Sequence, residues 1–135
     1  MLYTSSKVEN LEVINDILSG QIKLQDIDFH CHLMKKKYFP KMNLFKTWNF
    51  AERFEVSAEN YFPKTIKFSV RIENGDIVFV TPNIIWEDVS LTAKHLVICY
   101  EDKIFLTVTF SKPMTTIKGY FTIDTSSNLF RIKMG

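Results

Sequence analysis

The alternation of apolar and polar residues divides this chain into one helical segment followed by a series of strands. Leu11, Ile14 and Leu18 recur at spacings of three and four, and Val8 and Ile17 widen the stripe, which predicts an amphipathic helix over residues 7–19. Ser6 and Glu9 have the spacing of a capping box at its start, and Gly20 suits a left-handed position just past its end. From residue 22 the period changes to two. Ile27, Phe29, Cys31 and Leu33 fall on one face and Asp28, His30 and His32 on the other, as in a half-buried strand.

Residues 35–63 follow neither period. The stretch is irregular and aromatic, with a short helix expected near 47–54 that starts on the Thr47 hydroxyl. So long an excursion in a small domain is expected to be packed down or used in contacts. Alternation returns with Ile66, Phe68, Val70 and Ile72, stops at Asn74-Gly75, and resumes with Ile77 and Phe79. Asn-Gly supplies the two positive φ angles of a type I′ turn, so a hairpin is predicted here. Pro82 has no amide proton and breaks the ladder after it. Residues 91–100 and 104–110 predict a further strand pair joined around Glu101, Asp102 and Lys103. Both alternating sets of 96–100 are apolar, as in a central strand covered on both faces. Short strands at 116–124 and 129–134 complete the pattern. The fold class is therefore mainly β, an antiparallel β-sandwich or barrel-like sheet with one N-terminal helix.

Length and composition add bounds. The 135 residues suffice for one domain with a single core, spanning 1–135 with a helical segment at 1–20 and the aromatic excursion at 35–63. A hydrophobic content of 46% with 24% charged residues is that of a globular chain, not a disordered one. The N-terminus carries no charged-then-apolar signal, and no apolar run approaches bilayer length, so synthesis in the cytoplasm and no membrane association are expected. Cys31 and Cys99 fall in apolar runs and are expected as reduced, buried thiols, although sequence alone leaves a bridge open.

A formal charge of +2 is too small for the basic footprint of a nucleic-acid binder. Lys35, Lys36, Lys37, Lys41 and Lys46 do gather around aromatic residues. Such interleaving can track a phosphate backbone, but a solvated loop with inward rings is the preferred reading, so no direct nucleic-acid partner is expected.

Candidate chemistry is sparse. His30 and His32 share a strand face and are the sole metal-capable pair, two ligands short of a closed zinc site; no metal and no cofactor are expected. There is no phosphate loop, nucleophile elbow or His-Glu-x-x-His helix, and the chain is not expected to be an enzyme. The remaining anomaly is aromatic. Tyr38, Phe39, Phe45, Trp48, Phe50, Tyr61 and Phe62 are the candidate protein-interface residues, because rings bury much area at low conformational cost.

The run from Ile84 through Trp86, Thr92, Ala93 and Lys94 to Ile98, followed by 104–110 and then by Gly119-Tyr120-Phe121-Thr122-Ile123, resembles small β-rich structural proteins of tailed bacteriophages. Upstream, 29–33 with Phe39-Pro40 and Phe54-Glu55-Val56 with Tyr61 resemble the same pattern. Phe62-Pro63-Lys64 departs from it, replacing a Gly-rich run. The resemblance implies a virion structural protein, a capsid cement or decoration protein on the head surface, with the major capsid protein and copies of itself as partners. The alternatives are a neck or tail structural protein, a small phage-encoded protein that binds a host target, and a carbohydrate-binding module using Trp48 and Tyr61 as stacking platforms.

Overall fold

The computed structural model describes residues 3–21, 23–125 and 131–132. Its elements are β1 (Tyr3–Val8), α1 (Leu11–Leu18), β2 (Phe29–Met34), α2 (Trp48–Ala51), β3 (Lys64–Ile66), β4 (Ser69–Glu73), β5 (Asp76–Val80), β6 (Ile84–Tyr100), β7 (Lys103–Ile123) and β8 (Arg131–Ile132). All pairings are antiparallel. A five-stranded sheet has the order β1-β7-β6-β2-β3, and a three-stranded sheet has the order β4-β5-β8. The expected mainly β, sandwich-like architecture is what the chain adopts.

Residues Leu96, Val97, Ile98 and Cys99 are almost wholly excluded from solvent, so the middle of β6 is covered on both faces. On one face Phe29, Cys31, Leu33, Leu96, Ile98 and Phe105 meet Phe68, Ile77 and Phe79 of the smaller-sheet side, with Val13 and Ile14 of α1. Edge-on ring contacts of Phe68 with Phe29 at 4.9 Å and of Phe79 with Phe105 at 5.4 Å bind the two layers. On the other face Val97, Cys99, Ile104 and Met34 meet Tyr38 and Ala51, with Met42, Trp48 and Phe54 around them. The aromatic excursion thus closes a second, smaller core. Cys31 belongs to the first core and Cys99 to the second, and both are free thiols. Burial raises the pKa of each.

The N-terminal helix is shorter than the periodicity predicts. Residues 3–8 form an edge strand against β7, with Lys7 opposite Thr107 and Val8 opposite Leu106. The Glu9 amide extends this pairing by donating to the Phe105 carbonyl at 2.9 Å. Ser6 therefore lies within β1 and cannot cap. Asn10 occupies the N-cap position, but its side-chain amide donates to the carbonyls of Ile104 at 2.6 Å and Lys46 at 3.2 Å instead of capping. Long-range strand pairing satisfies several backbone groups at once and overrides the local helix signal. The other helix end is as expected, with Gly20 at φ 79°.

The hairpin forms with Asn74 and Gly75 both at positive φ, as a type I′ turn requires. Ile66, however, does not belong to it. β3 pairs with β2 in the large sheet, and the chain crosses to the small sheet at Lys67 and Phe68. Phe68 points into the interlayer core, whereas Val70 and Ile72 face outward.

Beyond Pro82 the predicted strand at 91–100 is part of the longer β6, and the predicted strands at 104–110 and 116–124 are joined in β7. Pro113 is accommodated because Ala93 pairs with Met114 and His95 with Thr109, so two steps on β6 match five on β7. The extra residues form a bulge in which no ladder amide is needed from the proline. Lys94 Nζ donates to the Phe110 carbonyl across it at 2.7 Å. Of the strand expected at 129–134, Arg131–Ile132 is β8; residues 129, 130, 133 and 134 lie outside the described residues.

Candidate functional site

The second face of the large sheet grades from apolar to polar along its length. Near the β6–β7 turn, Cys99 lies opposite Ile104; further along, Val97 pairs with Thr107 and His95 with Thr109. The excursion covers the apolar end. Between the start of the excursion and the polar end lies a cleft of about 430 Å³, floored by Tyr38, His95, Thr107 and Thr109, walled by Phe39 and Pro40, and edged by Lys7, Lys36, Lys41, Lys46 and Lys94 with Glu9.

Each group on the floor has a defined state. His95 is buried, and burial holds its imidazole at about 4, with Lys94 pushing the same way and a hydrogen bond to the Tyr38 backbone opposing. The neutral ring donates to that backbone and accepts at Nδ1 from the Thr109 hydroxyl, 3.0 Å away. The Thr107 hydroxyl, on a residue only 4% exposed, has no hydrogen-bond partner among the described residues. The Glu9 carboxylate is fully buried between Lys46 Nζ at 3.3 Å and Lys7 Nζ at 3.8 Å, and neither ammonium makes a hydrogen bond to it. Lys46 Nζ donates to the Pro40 carbonyl at 3.1 Å. Among the described residues, Lys36 and Lys41 have neither an ion pair nor a side-chain hydrogen bond.

The seven aromatic residues singled out by sequence divide into three groups. Phe39, Phe45 and Phe62 are exposed at 59%, 85% and 71%. Trp48 and Phe50 are half-buried. Trp48 stacks on His32 with ring centroids 3.7 Å apart, and the Arg53 guanidinium lies 5.0 Å from the Phe50 centroid. Tyr38 and Tyr61 go to the interior, which removes them from any surface role. The reason is that two cores need rings where one core was expected. Leu44, 80% exposed beside Phe45, belongs with the surface set, and nothing in its sequence context distinguished it from a packed loop leucine.

A polar relay fixes the excursion to the sheet. The Leu33 amide donates to Tyr61 Oη at 2.9 Å, Tyr61 donates to Glu55 Oε2 at 2.6 Å, and His32 Nδ1 lies 2.6 Å from the same oxygen. Burial and the Glu55 hydrogen bond raise the Tyr61 pKa, which keeps the phenol protonated as the donor. With Tyr61 buried and Trp48 stacked on His32, neither residue offers the free platform that a carbohydrate-binding module needs. His30 is exposed and shares a 3.4 Å contact with Thr65 instead of joining His32. No group of three or more metal-capable side chains occurs among the described residues.

Comparison with family models, with curated proteins and with solved structures finds no match. Among the described residues, no helix is long and apolar enough to cross a membrane.

Proposed function

We propose that this protein is a structural component of a tailed-phage virion, a cement or decoration protein that docks on the major capsid protein and stabilises the shell. The phage assignment draws its support from the sequence pattern of residues 84–98 and 119–123. The docking role draws its support from one structural observation: Phe39, Leu44 and Phe45 are exposed at 59%, 80% and 85% on a segment that Tyr38, Met42 and Trp48 anchor to the sheet. Exposed large apolar groups on a fixed support cost little entropy on docking, which is what an anchoring surface needs.

In this reading the long paired strands β6 and β7 are the rigid scaffold. The test is assembly. The protein is expected to copurify with virions at high copy number, and Leu44→Ser/Phe45→Ser is expected to abolish incorporation while leaving its unfolding midpoint in urea unchanged. Particles that form without the protein and withstand heat as well as complete ones refute the cement role. A defined complex with a host enzyme in place of the capsid moves the same surface to the host-binding alternative.

A further inference from the structure

The Lys-rich cleft has features that a docking surface does not require. Sheet faces that serve only as core are apolar along their length, as this face is at Val97, Cys99 and Ile104. Toward its other end the same face presents His95 and Thr109, and Thr107 stands directly across from Val97. The Thr107 hydroxyl is buried without a partner among the described residues, a condition that costs free energy unless something fills it. Five lysines converge on the opening against one glutamate, and burial keeps His95 neutral. The volume lies in the range of small-molecule sites, and the walls at Phe39 and Pro40 are apolar.

We propose that this cleft binds a small organic phosphate, a molecule with a phosphate head and an apolar body. Lysine ammoniums act as point charges on phosphate oxygens, and Lys36 and Lys41 are free to do so while Lys46 and Lys7 are held near Glu9. The Thr107 hydroxyl donates to a phosphate oxygen or accepts from the ligand body, and Phe39 packs against that body. The cleft shares Phe39 with the docking surface, but ligand binding by the isolated protein stands or falls without capsid docking.

Titration calorimetry at low salt with three probes tests the idea: ADP for a planar body, octyl phosphate for a chain, and inorganic pyrophosphate for the head alone. ADP or octyl phosphate is expected to bind at least about tenfold more tightly than pyrophosphate, and whichever wins identifies the body. Lys36→Glu/Lys41→Glu is expected to weaken that binding at least about tenfold, whereas Lys23→Glu/Lys118→Glu, with the same change in net charge, leaves it within about twofold. Thr107→Val is the discriminating variant. Because its hydroxyl has no partner among the described residues, the valine form is expected to keep or raise its unfolding midpoint while losing affinity. The proposal is overturned if neither organic phosphate binds more tightly than pyrophosphate, if the two charge-reversal pairs behave alike, or if Thr107→Val retains full affinity.

Discussion

Tyr61→Phe removes one oxygen and nothing else, which makes it the sharpest probe of how the excursion is held. The ring keeps its place beside Trp86, where the planes are inclined by 24° at a centroid distance of 6.1 Å. What is lost is the junction between the Leu33 amide and the Glu55 carboxylate. Leu33 is wholly buried, so its amide is left without a partner, a cost of about 1–3 kcal/mol. Glu55 keeps His32 and is partly exposed, with 19% of its side chain accessible, so water replaces much of the second bond and its loss adds about 1 kcal/mol. The sum is about 2–4 kcal/mol. With a urea m-value of roughly 2 kcal/mol/M, the unfolding midpoint falls by about 1–2 M at constant m. The double variant with Glu55→Gln is expected to show a coupling of about 1 kcal/mol. A midpoint loss worth less than about 0.5 kcal/mol, or additive single variants, refutes the view that this relay secures the excursion.

Trp86, 1% exposed and bonded through Nε1 to the Phe62 carbonyl at 2.7 Å, is core: Trp86→Ala is expected to cost about 3–5 kcal/mol, seen as a collapse of the thermal transition. Trp48→Ala, which removes a half-buried stack on His32, is expected to cost about 1–2 kcal/mol and so to affect stability as well as any docking, read from urea midpoints. Stability is expected to be fully present above pH 6.5, to fall by up to about 3 kcal/mol as the pH drops from 6.5 to 4, and to lose nothing further from this source below that. The unfolded His95 takes up its proton first, because burial depresses the folded value to about 4. His95→Gln is expected to flatten that slope in urea midpoints measured from pH 7 to 4.5.

Most of the strand order of events was legible because its signals are local. Asn74-Gly75 specifies its own turn, Thr47 accepts from the Phe50 amide at 3.4 Å as a cap, and the doubly apolar run at 96–100 is central because both its faces are covered. What was not legible is nonlocal. Whether residues 3–8 join a helix or an edge depends on the presence of β7 a hundred positions later. The switch of sheets at Phe68 leaves no mark in the alternation, since an inward residue is required in either sheet. Pro113 reads as a strand terminator until the bulge opposite Lys94 is known. Of the candidate surface, the lysines at 36, 41 and 46 and the ring at 39 stood out in sequence. Lys7, Lys94 and Thr107 join them only through strand register.

That division explains why the aromatic excess misled in one direction and informed in another. An irregular segment with eight rings is more than one small core uses, and the surplus suggested a surface. The central sheet has two apolar faces, however, and the helix and small sheet cover only one of them. A segment that closes the second face must supply its own rings, as Tyr38, Trp48 and Phe54 do, and its outward residues then lie on a rigid base. Where residues 36–46 of the excursion meet the sheet beside β1, a cleft is left between them. Along this second face the pairing grades from Cys99 with Ile104 through Val97 with Thr107 to His95 with Thr109, and the cleft lies at the polar end. Core, docking surface and cleft thus all arise from one segment that closes the second face of the sheet: its inward rings fill the core, its outward residues form the surface, and its start lines the cleft.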